Sequence, residues 1–358
     1  MTRIHLIGIT ILALAAGARA ESSITPSGYL DLGISKKTGT SAQLGTLGAS
    51  NAALSGSQDI SAGLTAIFRL STRFDINTGT LENSDAQRPF FKDEATIGLK
   101  GDFGTVRLGR ACSAIWQYSW MYDGWANFDR IASPQWYAFA PSFLTNPQTR
   151  EYIRLNNAVF YDSPTYQGLT AHVAAAVDRE STDLTHGVSG SLKYDSGPVS
   201  LMLGLEQNSQ KDRLLFLGAS YKFSALQVMG GYSLVKLNPD GAIYGPEWTN
   251  WAGASNPTTR HTGLTLSALY TVGASTYKVG LGRNFQGSTN GFNYIGSTFD
   301  NAGTGYSGPT TMASLGYSYA LSRTVTLIAD LSHSKWKYKD DAGRESANGA
   351  AVGGTLSF

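Results

Sequence analysis

The chain has 358 residues, 28 Lys and Arg against 26 Asp and Glu, a hydrophobic fraction of 42% and one cysteine. So even a balance offers no basic surface to nucleic acid and no polybasic stripe to an anionic membrane, and Cys112 alone makes neither an intrachain disulfide nor a thiolate metal cluster. After the N-terminus no window approaches the roughly 20 apolar residues of a spanning helix. A membrane role therefore falls to strands, because only helices and closed barrels satisfy every backbone group in lipid.

Residues 1–20 carry Arg3, an apolar run from Ile4 to Ala16 broken by His5, Gly8 and Thr10, and the small-x-small site Ala18-Arg19-Ala20. This pattern predicts a secretory signal peptide, with the mature domain spanning 21–358. A spanning helix would need a longer run. Removing the segment takes away Arg3 and Arg19 and no acid, which leaves 26 basic and 26 acidic residues in the remainder.

From there the chain alternates with period two. Strands are predicted at 27–36, 50–57, 62–75, 90–101, 104–112, 153–163, 167–177, 187–195, 198–207, 213–222, 226–236, 261–271, 275–285, 310–320, 323–336 and from 346 to the end, sixteen in all. Leu64, Ala66, Phe68 and Leu70 share one face, and Thr65, Ile67, Arg69, Ser71 and Arg73 share the other. Val199, Leu201, Leu203 and Leu205 separate in the same way from Ser200, Met202, Gly204 and Glu206. A lipid-facing Arg or Lys costs roughly 2 to 4 kcal/mol at the midplane, so the charged face is the lumen. Phe103, Tyr161, Tyr166, Tyr194, Tyr221, Phe223, Tyr270, Tyr317, Tyr319 and Phe358 gather beside the short turns as an interfacial girdle. The long connections 37–49, 76–89, 113–152, 178–186, 208–212, 237–260, 286–309 and 337–345 fall at the opposite end. The last strand alternates up to Phe358, as the closing strand of a transmembrane barrel does.

Two segments carry a family resemblance. Gly98-Leu99-Lys100-Gly101-Asp102-Phe103-Gly104-Thr105-Val106-Arg107-Leu108-Gly109-Arg110 resembles the G-L-x-G-D-F-G-T-V-x-L-G-R run of Gram-negative general porins, particularly the beta-proteobacterial branch. Arg154-Leu155-Asn156-Asn157-Ala158-Val159-Phe160-Tyr161-Asp162-Ser163-Pro164 is similar to that family's R-x-N-N-S-V-x-Y-x-S-P segment. The resemblance implies an all-β, transmembrane, antiparallel 16-stranded barrel of the outer membrane, assembled as a homotrimer, with the third extracellular loop (113–152) folded into the lumen. It also implies passive diffusion of ions and small hydrophilic solutes, and a terminal aromatic that resembles the signal read by the outer-membrane assembly machinery.

In such porins wall arginines face loop acids across a narrow eyelet, and a low-dielectric wall focuses the resulting field. Arg110 and Arg154 match the family's wall arginines, and Arg69 and Arg73 join them from the lumen face. Two departures dilute that wall. Asn51 stands where the family's S-R-L-G-F-K-G segment has arginine, with Ser55 for its lysine, and Lys92-Asp93-Glu94 replaces a segment that usually pairs arginine with a neutral neighbour. Glu94 shares parity with Lys92 and Thr96 and should point inward, so weak or mixed ion selectivity is expected. Asp123 and Asp129 are candidate loop acids facing the wall, or ordinary solvated ones, and Arg130 would interrupt the acidic side. Trp116, Trp120, Trp125 and Trp136 form either a stacking surface for small aromatic or carboxylate solutes or anchors that hold the loop to the wall.

Other classes find little support. Past the leader the histidines are His172, His186, His261 and His333, and no spaced Ser/His/acid motif marks a catalytic site. Asp75-x-Asn77-x-Gly79 echoes a calcium loop, but Ala86 stands where the bidentate acid belongs, so neither a metal nor a cofactor is expected. A receptor or adhesin role remains compatible with a pore, since loops 237–260 and 286–309 offer Trp248, Trp251, Phe292 and Tyr294.

Overall fold

Period-two alternation requires extended chain whose open edges must be paired. The computed structural model describes residues 22–82, 89–126, 129–138, 154–177, 185–209, 211–236, 238, 260–285, 309–337 and 343–358, apart from the side chains at 136, 137 and 261. Among them it has eighteen strands in one sheet. These are β1 (Ser22–Lys37), β2 (Gln43–Gly45), β3 (Ser50–Ser61), β4 (Leu64–Asp75), β5 (Thr80–Leu81), β6 (Glu94–Gly101), β7 (Gly104–Cys112), β8 (Arg154–Asp162) and β9 (Leu169–Ala176). They continue as β10 (Val188–Ser196), β11 (Val199–Gln207), β12 (Arg213–Phe223), β13 (Leu226–Lys236), β14 (Arg260–Val272), β15 (Ser275–Asn284), β16 (Thr310–Ala320), β17 (Val325–Trp336) and β18 (Ser346–Ser357). β2 and β5 are three and two residues long; the other sixteen make the wall of a closed antiparallel barrel, as the alternation predicts. The leader 1–20 and the loop aromatics Trp248, Trp251, Phe292 and Tyr294 lie outside the described residues.

Closure is made by β1. One edge pairs with β18 from Tyr29↔Ser357 to Lys37↔Gly349, and the other with β3 and then β2. Gly28 and Phe358 exchange two N–H···O=C bonds of 3.0 and 3.1 Å, so the ladder runs to the last residue. Between β2 and β3 the chain leaves the sheet, and the N–H groups of Leu47 and Gly48 donate to the Asp31 carboxylate at 3.3 and 2.7 Å.

Burial separates the two faces. On β11, Leu201, Leu203 and Leu205 are 45, 40 and 59% exposed, whereas Met202 and Glu206 are 3 and 8% exposed. The apolar face is therefore outward. The strand expected from 90 starts at Glu94, because the carbonyls of Lys92 and Asp93 are taken by arginine side chains instead of by a ladder.

The segment after β7 holds α1 (Trp116–Ser119), a 3₁₀ turn (Trp120–Tyr122) and α2 (Pro134–Ala138). It lies along the inward face. Ile115 N–H donates to Ser189 Oγ of β10 (3.3 Å), and the Tyr122 hydroxyl pairs with Ser200 Oγ of β11 (3.1 Å). Trp125 Nε1 donates to Asp330 Oδ1 of β17 (2.6 Å), and Arg130 N–H donates to the Leu47 carbonyl (3.0 Å). Ile115 and Tyr122 close a buried cluster with Met202, Leu214, Phe216 and Val235, which explains why those inward positions are apolar. At Gly218 a Cβ would stand 2.4 Å from the Tyr122 ring, so only glycine admits the ring there.

Candidate functional site

A cavity of about 350 Å³ lies between this inner segment and the strands β3 to β8. Asn51, Arg69, Arg73, Glu94, Arg107 and Arg154 line it from the wall. Trp116, Gln117, Trp120 and Arg130 line it from the segment, and Glu82 and Asp93 from connections.

Cross-strand register sets the wall. Asn51 lies opposite Arg73 and Ser55 opposite Arg69, and Ser55 Oγ accepts a 2.8 Å bond from Arg69. Cations at both positions would place like charges directly opposite, which destabilises a ladder. The neutral residues avoid that and thin the positive wall. Glu94 points inward, as its parity predicts. Its carboxylate accepts from Arg107 at 2.7 Å and Thr96 at 2.8 Å and lies 3.4 Å from Arg69. Arg107 also reaches Asp162 at 3.1 Å, whose other oxygen meets His172 Nδ1 at 2.8 Å beneath the Tyr118 ring.

Two further acids sit among cations at the other edge. Asp93 pairs with Arg73 at 2.6 Å and with Arg154. Glu82 accepts from Lys92 at 2.7 Å and from Arg130 and lies 3.9 Å from Arg73. Burial pushes both carboxyls up, but the cations outweigh it: Lys92, Arg73 and Arg130 hold Glu82 well below its ordinary range, and Arg73 and Arg154 lower Asp93. Both are ionised at neutral pH. Arg130, expected to interrupt an acidic loop, is thus paired with Glu82 of the 76–89 connection.

Other expected residues lie elsewhere. A bulge between Gly109 and Ala111 shifts the β7–β8 register, and Arg110 donates from there to the Lys92 carbonyl at 2.9 and 3.1 Å and to Asn156, outside the cavity lining. Lys92 is 5% exposed beneath Glu82. Neither expected loop acid lines the cavity: Asp123 accepts from Ser133 at 2.7 Å and Ser267 at 3.4 Å, and Asp129 from the N–H groups of Ile131 and Ala132 at 2.7 and 2.6 Å. Trp125 is 5% exposed and anchors the segment, while Trp116 and Trp120 border the cavity and Trp120 is 38% exposed. The Trp136 side chain lies outside the described residues.

Sequence reasoning passed over Arg107, Asp162 and Glu82. Arg107 was legible from its register with the inward Gly98, but Glu82 had no signal, since it follows a two-residue strand that folds back on β4.

A closed barrel with an apolar exterior and a charge-lined interior defines an outer-membrane channel. A family model described as Gram-negative porin matches residues 8–340, and the chain belongs to that family. It is 30% identical over 274 residues to outer membrane porin protein 32 of Delftia acidovorans, covering 70% of this chain and 75% of that one. It is 26% identical to an outer membrane porin protein of Bordetella pertussis, over 99% and 98% of the two chains. Among solved structures, an anion-selective porin from Comamonas acidovorans superposes with a TM-score of 0.74 at 24% identity, over 94% of this chain and all of that one. An outer membrane protein of Vibrio cholerae, solved in a trimer form, superposes at 0.61 and 11% identity, over 94% of this chain and 99% of that one. The protein is an integral outer-membrane porin, a channel for small solutes, and its relatives are porins.

Proposed function

We propose that the cavity is the constriction of the pore and that it confers weak or mixed ion selectivity. One observation carries this reading: five guanidinium groups and three carboxylates line one space, and the acids stand among the arginines of the wall rather than across from them. Interleaved charges cancel over a few ångströms and leave only a small surplus to favour anions. Asn51 and Ser55 keep that surplus small. Measured as zero-current potential in a salt gradient, the wild type is expected well short of the ideal anion limit; a value at that limit overturns the reading.

Small aromatic carboxylates are the solutes this constriction favours. Trp116 and Trp120 present rings beside Arg107 and Arg154, so a flat acid can stack while a guanidinium takes its carboxylate. Liposome swelling with benzoate, a hexose and an amino acid of similar size tests this, and equal rates after size correction exclude it. We extend the reading to a homotrimer in outer-membrane lipid, delivered by the assembly machinery after removal of residues 1–20; conductance steps in groups of three are expected.

A further inference from the structure

The charged wall of the cavity continues past its lining as one row of paired side chains. Arg69 on β4 lies 3.4 Å from Glu94 of β6, and the other Glu94 oxygen accepts from Arg107 of β7 at 2.7 Å. Arg107 also donates to Asp162 at the end of β8 at 3.1 Å, and the second Asp162 oxygen accepts from His172 Nδ1 of β9 at 2.8 Å. Signs alternate along the row. With a neutral imidazole its two guanidiniums and two carboxylates cancel, so the net charge of the row is the charge of His172.

The groups facing His172 leave that charge free to change. The residue is 4% exposed. Ser191 stands directly opposite on β10 and donates its hydroxyl to the Ala114 carbonyl at 2.9 Å. Lys193, the next inward position on β10, is paired with Asp195. From the inner segment the Tyr118 ring lies over the imidazole, with centroids 4.0 Å apart. Burial pushes the Tyr118 hydroxyl up to about 12, so it stays neutral. Gln117 Nε2 donates to that hydroxyl at 3.0 Å, and Gln117 Oε1 accepts from Arg107 at 3.4 Å. Among the described residues Asp162 is thus the one ionic partner of His172, and the bond between them uses Nδ1 and leaves Nε2 to take a proton. An imidazolium there gains a carboxylate on one side and the face of a ring on the other.

We propose that His172 is a specificity-determining residue of the pore: its protonation turns the row from neutral to singly positive and moves the passage toward inorganic anions at the expense of cations. This role rests on the cavity being the constriction of the pore. Arg69, Glu94 and Arg107 line that cavity whereas Asp162 and His172 stand behind it, so the added charge is felt through Arg107. A proton on His172 draws Asp162 toward the imidazolium and leaves the Arg107 guanidinium less compensated on its lumen side. Histidine is the side chain whose charge changes between about pH 5 and pH 8, which makes selectivity follow the acidity of the medium.

The test places the assembled full-length barrel in a planar bilayer under a potassium chloride gradient and reads the zero-current potential at about pH 8 and about pH 5. The wild type should move toward the anion limit at the lower value. H172Q, which keeps a donor for Asp162 and carries no charge, should lose most of that step. H172K, whose charge is fixed, should sit on the anion side at both values. The buried carboxyls Asp31, Asp129 and Glu206 are present in all three proteins, so a difference among them belongs to position 172. A wild type without a step overturns the proposal and needs no variant to do so. An undiminished step in assembled H172Q, or H172K titrating like the wild type, overturns it as well. E94Q at about pH 8 tells this failure from that of the constriction itself. If E94Q shifts the potential while the histidine variants leave the step intact, the cavity selects and His172 is silent; if E94Q shifts nothing, the constriction lies elsewhere and the role of His172 falls with it.

Discussion

Glu94 is the only inward carboxylate on β6 and the one acid that touches two wall arginines from a strand, Arg69 and Arg107. Glu94→Gln keeps an acceptor for Thr96 and removes the charge, so the zero-current potential should move toward the anion limit by several millivolts while conductance changes little. No movement would place the selective field elsewhere. The acids of this region titrate in opposite senses. Glu82 and Asp93 have lowered folded values, so the stability they lend is present above about pH 4 and is lost as pH falls through those values. The Arg130 tether should therefore hold between pH 5 and 8 and give way only well below the ordinary carboxylate range, read as protease access to residues 113–126. Asp129 behaves oppositely: burial first, and the Asp330 charge second, push it well above the carboxylate range, so its contribution is full in acid and lost as pH rises. Since an Asn oxygen can still accept from Ile131 and Ala132, Asp129→Asn should raise heat stability at pH 8 by up to about 1 kcal/mol and leave it unchanged at pH 4. A loss at both values would show that the charge itself is needed.

At the scale of the element, the inner segment is a strap fixed by single residues on successive strands. It comes close at Gly263, Gly218 and Gly280: a Cβ would stand 1.8 Å from the Ala138 carbonyl oxygen at the first, 2.4 Å from the Tyr122 ring at the second, and 2.6 Å from Pro134 and Trp125 at the third. Gly218→Leu leaves the outward face of β12 intact and drives Tyr122 away, at about 1–3 kcal/mol of strain. The barrel should still assemble, and its single-channel conductance should rise as the strap lifts; unchanged conductance would mean that the strap does not set the narrowest passage. The wall strands were legible because alternation is a local property, repeated in β11 as Leu201, Leu203 and Leu205 against Met202 and Glu206. The strap was not, because its partners are remote: nothing near Trp125 in sequence names Asp330, and nothing near Glu82 names Arg130. Arg110 fails for a different reason. Its place rested on a match to the family's motif and not on alternation, which puts Arg110 on the parity of the outward Leu108; at the bulge marked by positive φ at Gly109 and Asn157 it turns to the Lys92 carbonyl, while Arg107, on the other parity, takes the cavity.

At the scale of the whole molecule, the same alternation sorts charge between inside and outside, and register then decides which inward charges meet. That second step escapes a linear reading because Arg69, Arg107 and His172 are far apart in sequence and join one row only across neighbouring strands. Closure depends on register too, and it ends on Phe358. Two features of that residue are separable: its backbone completes the ladder with Gly28, and its ring, 58% exposed, stands on the outward face. Deleting Phe358 removes both, whereas Phe358→Ala removes only the ring. If the ring is what the assembly machinery reads, both variants should lower the protein recovered in the outer membrane several-fold, while survivors conduct like the wild type because neither change touches the cavity. If only the ladder matters, deletion lowers assembly and Phe358→Ala does not. Refolding into detergent distinguishes the two further, since no machinery is present there: Phe358→Ala should refold at the wild-type rate. A refolding defect of the same size as the cellular one would assign the terminal aromatic to barrel closure alone.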